Sequence, residues 1–175
     1  MMFVIGLIAG IIVAFLVLAA RRPGSFRVER ATNINARPEA IYAQIEDFHN
    51  WGAWSPWEKL DRNMTKSYSG APSGKGAVYE WKGNAKAGQG RMELTESLPY
   101  SRLVIKLDFI KPMEGHNISE FTLDPSGDGI RVKWSISGPC PFPMKMMTVF
   151  VSLDKMMGKD FETGLANLRT VSEKA

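Results

Sequence analysis

The sequence is poor in the residues that most often carry chemistry. Its one cysteine, Cys140, cannot form an internal disulfide and suits a reducing compartment. The two histidines, His49 and His116, lie far apart, and no His, Cys, Asp or Glu spacing has the form of a metal site. No nucleophile–histidine–acid constellation is visible. The stretch "GAPSGKG" (70–76) lacks the spacing of a phosphate loop. No basic run or nucleic-acid-reading motif occurs. Arg21 and Arg22 supply two of the formal +4 charges, leaving +2 for the rest, which suits mild attraction to an anionic membrane surface better than nucleic acid. No catalytic residue, metal ligand or cofactor site is assigned.

Charge is also missing from residues 1–20, "MMFVIGLIAGIIVAFLVLAA". Twenty helical residues span about 30 Å, the thickness of a bilayer's hydrocarbon core. Arg21 and Arg22 stop the run, and Pro23 and Gly24 break the helix. A cleaved signal peptide wants a basic start, a shorter apolar run and a small-residue cleavage site. The start here has no Lys or Arg, so a retained single-pass anchor is the favoured reading. The basic pair on its C-terminal flank places the following domain in the cytoplasm. Gly6 and Gly10 form a GxxxG through which two anchors can pack as a weak dimer. A linker over 21–25 reaches at most about 17 Å, and residues 26–175 suffice for one domain.

The soluble part begins with a strand, "SFRVERATNI". Pro38, with Ile41 and Ile45 four apart, then predicts a short helix. Period-two patterns follow. Ala77, Tyr79 and Trp81 share a face, as do Met92 and Leu94. So do Leu103, Ile105, Leu107 and Phe109, then Phe121 and Leu123, then Ile130, Val132, Trp134 and Ile136. Short polar spacers between half-buried strands predict an antiparallel meander of six or seven strands. After "GPCPFP" the apolar positions step by three and four from Met146 to Val171, which predicts one long helix from near Pro143 almost to the end. Gly164 lies on its apolar stripe, which suits close approach of the sheet or room for something else.

This order, with "NARPEAIYAQIEDFHNWGAWSPW", "GKGAVYEWKGN", "GRMELTESLP", "LDFIKPMEGHN", "GIRVKWSISG" and "MMGKDFETGLANLR", resembles the START-like (SRPBCC) superfamily, polyketide cyclase/dehydrase and lipid transport branch. The resemblance implies an α+β helix-grip fold, a curved antiparallel sheet around a long C-terminal helix, here preceded by one N-terminal transmembrane helix. In many relatives a cavity between sheet and helix holds a hydrophobic small molecule or lipid. The fold alone implies no reaction.

Two local features bear on such a cavity. The segment "HNWGAWSPWEKL" (49–60) carries Trp51, Trp54 and Trp57, three of the five tryptophans. Their burial cannot by itself offset the backbone entropy of ordering the segment, so they need a platform. Met144, Met146, Met147, Met156 and Met157 cluster in one region, and thioethers adapt to irregular apolar shapes. The expected lining is Trp54, Trp57, Tyr79, Trp81, Phe109, Phe121, Trp134, Met147, Phe150, Met157 and Phe161, with His116 or Glu96 as polar handles. The expected ligand is a hydrophobic small molecule or lipid, bound without reaction. Two alternatives stay open: a cyclase or dehydratase-like enzyme, which needs ionisable groups facing inward, and a partner-binding module with a filled core.

Overall fold

The computed structural model describes residues 2–175; Met1, the first residue of the expected anchor, lies outside the described residues. Helix α1 (Met2–Ala20) leads into β1 (Ser25–Ile34), α2 (Pro38–Glu46) and the short α3 (Trp51–Trp54), which single 3-10 turns flank on either side. Strands β2 (Thr65–Gly70), β3 (Ala77–Lys82), β4 (Gln89–Leu98), β5 (Arg102–Lys111), β6 (Gly115–Ser126) and β7 (Gly129–Pro139) follow. Helices α4 (Phe142–Thr148) and α5 (Leu153–Ser172) close the chain.

All seven strands form one antiparallel sheet in the order β1-β7-β6-β5-β4-β3-β2. Six form a meander, and β1 pairs with β7, Ser25 opposite Pro139 and Ile34 opposite Ile130. The faces follow the period-two pattern: Tyr79, Leu94, Leu103, Ile105, Phe121, Val132 and Trp134 are buried on the inner face. Helix α5 lies against that face with Phe161, Gly164, Leu165 and Leu168 buried. Helix α2 begins as its sequence predicts, with Pro38 in the first turn after an extended Arg37.

The C-terminal region departs from the single long helix. Residues 149–152 interrupt it. Val149 and Val151 are β-branched and, with Phe150, weak helix formers. Ser152 is extended and its side chain accepts from the Lys155 amide, capping a fresh helix whose first turn carries Asp154.

Helix α1 is apolar and long enough to cross a membrane. Only its last turns touch the domain. Ala19 is fully buried, and the Phe15 ring stacks on Phe150 at 5.4 Å between centroids. Gly6 and Gly10 face open space.

Candidate functional site

A cavity of about 360 Å³ lies between the inner face of the sheet, α5 and the turn that follows α3. Its walls come from residues spaced two apart on strands and three or four apart on α5, the spacings that put side chains on one face. Trp134, Trp57 and Phe161 form one wall. Trp134 stacks on Phe161 at 4.3 Å, and Trp57 meets both rings edge-on at 5.3 and 5.8 Å. Behind it, Phe121 stacks on Trp134 at 4.8 Å, so Trp134 is sandwiched between two rings. The indole NH of Trp134 donates to Ser119 Oγ at 2.9 Å, satisfying its one polar atom.

Tyr79 and Trp81 on β3 form the opposite wall, with Phe109 edge-on to Trp81 at 5.9 Å. Trp81 lies across β4 only because its partner in register is glycine. A Cβ at Gly90 would sit 2.3 Å from the indole ring. Trp81 Nε1 donates to the Ala87 carbonyl, which ties the ring to the turn at the cavity's mouth.

One acid reaches this apolar surface. The Glu58 side chain is only 7% exposed, accepts the Tyr79 hydroxyl at 2.6 Å and pairs with Lys66. Burial, then the hydrogen bond to Glu58, holds the Tyr79 phenol well above its ordinary range, so it stays protonated and donating. Asp160 and Lys86 lie on the exposed margin. Among the described residues no group of three His, Cys, Asp or Glu side chains could hold a metal ion.

Of the residues expected to line the cavity, Trp57, Tyr79, Trp81, Phe109, Trp134, Met157 and Phe161 do so. Trp54 and Phe121 do not; both are fully buried behind the wall. Trp54 is held there by its own NH on the Gln44 carbonyl and by Asn167 donating to the Trp54 carbonyl. Trp51 does reach the cavity, from its inner end.

Met147 and Phe150 are corrections. The break at 149–152 turns them away from the sheet, 38% and 79% exposed, and Phe150 stacks on Phe15 of α1 instead. The expected polar handles are also misplaced. His116 stands opposite Asp108, between the inward Leu107 and Phe109, so it faces outward and pairs with Asp108 at 2.7 Å. A register shift between Leu94 and Glu96 places Glu96 opposite the outer-face Val104, where it binds Arg102 at 2.6 Å.

Sequence reasoning missed Glu58, Leu60, Met64, Met92 and Ser119 as lining residues. For Glu58 a signal was present: it is the one acid inside the tryptophan segment.

A sheet wrapped on a long helix around an aromatic cavity now meets a second observation. The family described as polyketide cyclase / dehydrase and lipid transport matches residues 25–173. The chain belongs to this family. Solved structures agree on the fold. The di-domain ARO/CYC protein BexL is 12% identical with a TM-score of 0.64, over 90% of this chain and 53% of that one. Protein MLL2253 from Mesorhizobium loti is 14% identical with a TM-score of 0.62, over 86% and 98%. The Aha1 dimer from Colwellia psychrerythraea is 14% identical with a TM-score of 0.60, over 85% and 96%. Identities this low speak for the fold alone. No curated protein matches the chain. In this member of the polyketide cyclase/dehydrase and lipid transport family, the polar groups inside the cavity include Glu58, Tyr79 and Ser119 among the aromatic rings.

Proposed function

We propose that this domain binds an apolar small molecule or lipid in the cavity, holding it without transforming it, while α1 anchors the domain on the cytoplasmic side of a membrane. One observation carries the reading. A cavity of about 360 Å³ lined by Trp57, Trp81, Trp134, Phe109 and Phe161 lies within the range of roughly 300–1,000 Å³ typical of small-molecule sites. A chain whose core was simply filled would leave no such space. The polar handle in this reading is Glu58 with Tyr79, so the ligand carries a hydrogen-bond donor at one end of an apolar body. Such a ligand is membrane-soluble, and a tether at the bilayer keeps the binding site at high effective concentration near it.

Native mass spectrometry of the detergent-extracted full chain tests this. A reproducible bound mass that disappears in Met157→Trp, which fills the cavity from α5, supports it. An empty wild-type chain, with probes such as a long-chain alcohol failing to load, sinks it.

A second reading has one observation behind it. The Glu58–Tyr79 pair is an acid–phenol couple inside the cavity, which a cyclase or dehydratase-like enzyme requires. Under that reading Tyr79→Phe leaves the bound mass in place and abolishes its conversion.

A further inference from the structure

The sheet has two ends, and most of the exposed apolar side chains of the domain gather at one, with Leu98 and Tyr100 at the other. The registers bring together the start of β1, the end of β7, the start of β6, the end of β5, the start of β4 and the end of β3. Helix α1 joins at this end, where the Cys140 amide donates to the Gly24 carbonyl at 2.8 Å. The exposed margin of the cavity lies here too, at Leu60 and Lys86, with Asp160 of α5 also on that margin. So do Ile110 and Met113 beside the β5–β6 turn, and Phe142, Phe150 and Val151 around α4, all exposed.

The stack of Phe15 on Phe150 fixes the height of this surface. Phe15 lies five residues before the end of α1, about 7.5 Å of helical rise. With Arg21 and Arg22 at the headgroups, Phe150 lies below them, and a ring 79% exposed at that depth meets acyl chain rather than water. The charges agree. Residues 141–151 carry Lys145 and no acid, the turn 83–88 carries Lys86 and no acid, and the β5–β6 turn sets Lys111 against the exposed Glu114, so the fringe is basic on balance. An apolar surface with a basic fringe is the composition that lies in an anionic bilayer interface.

We propose that this end of the domain is seated on the bilayer through α4, residues 149–151 and the β5–β6 turn, so that the cavity's mouth opens onto lipid. The proposal rests on reading α1 as the anchor. Its occupant is an anionic lipid surface, continuous with the one α1 crosses.

The test uses the full chain with Cys140→Ser and one new cysteine labelled with an environment-sensitive nitrobenzoxadiazole dye. Positions are Val151→Cys and Met113→Cys on the surface, Leu98→Cys at the opposite end of the sheet, and Ile12→Cys within α1. Vesicles contain equal parts phosphatidylcholine and phosphatidylglycerol, with or without nitroxide-bearing lipid. The expected result is blue-shifted, nitroxide-quenched emission at 151 and 113, and aqueous, unquenched emission at 98. Quenching at 12 with aqueous emission at 151 and 113 overturns the seat and leaves the anchor standing. Blue-shifted emission at 151 that nitroxide lipid cannot quench means a second copy or another protein covers the surface, and also overturns it. No quenching at 12 or 151 overturns seat and anchor together. Adding Met157→Trp, which blocks the cavity, leaves the quenching at 151 unchanged, so ligand binding and seating fail independently.

Discussion

Gly158 and Arg30 share one volume: a Cβ at position 158 would lie 2.0 Å from the Arg30 Nη2 atom. The missing side chain lets the guanidinium reach Asp154 and Glu162, at 2.8 Å each, across the start of α5. Both carboxylates are mostly exposed, so little stability rides on the pairs themselves. In an Arg30→Ala background, Gly158→Ala is therefore expected to stabilise the detergent-solubilised chain by about 1 kcal/mol, the helix-propensity difference. In the native background the gain should shrink or vanish. Denaturant titration of the four combinations measures this; equal effects in both backgrounds would show that the steric contact does not matter.

Gly164 presents the opposite case. A Cβ there would meet the Trp134 ring at 2.8 Å and Pro56 at 3.3 Å. Trp134 is held between Phe121 and Phe161 and has nowhere to move. Gly164→Ala should cost about 1–3 kcal/mol by overpacking, despite the better helix former. The same denaturant titration checks it, and a stabilised variant would contradict the packing described for this wall.

Tyr79→Phe removes the hydroxyl that donates to the nearly buried Glu58. Lys66 remains, so the loss is partial, about 1–2 kcal/mol of stability. If the pair is the polar handle, the variant binds a long-chain alcohol more weakly and a hydrocarbon of equal length unchanged. Parallel titrations with the two probes decide the point.

His116 offers a pH-dependent reporter on the outer face. Its hydrogen bond to Asp108 raises the imidazole above its ordinary pKa. The sign follows: the pair's contribution is fully present below the unfolded histidine value and is lost as pH rises through the raised folded one. NMR titration of the ring should give a midpoint above about 6.5 that falls in Asp108→Asn. The cavity's ligand affinity should not follow this titration, because His116 faces away from it.

Strand faces were legible because alternation is unambiguous where one face is dry. From Tyr79 to Ile136 the apolar positions named in the sequence join the core or pack against it, and Phe109 lines the cavity. Strand β2 was illegible for the converse reason: all six residues of "TKSYSG" are exposed, so no pattern marks them. The break between α4 and α5 was hidden because Met146, Phe150, Leu153 and Met157 keep helical steps across four non-helical residues. Ser152 ahead of Leu153-Asp154-Lys155, after two valines, was the only local sign, and overlooking it misplaced Met147 and Phe150. Glu96 was misplaced by one register shift. Alternation counted from Met92 and Leu94 points it inward, and the bulge reverses every position after it.

The interruption at 149–152 means the rod that touches α1 is not the rod that walls the cavity. Helix α5 is held by its buried Phe161, Leu165 and Leu168 and by Asn167 on the Trp54 carbonyl. When α1 tilts or drifts sideways, α4 can swing with it about a four-residue joint while Phe161 stays pressed on Trp134. The position of α1 and the shape of the pocket thus rest on different helices.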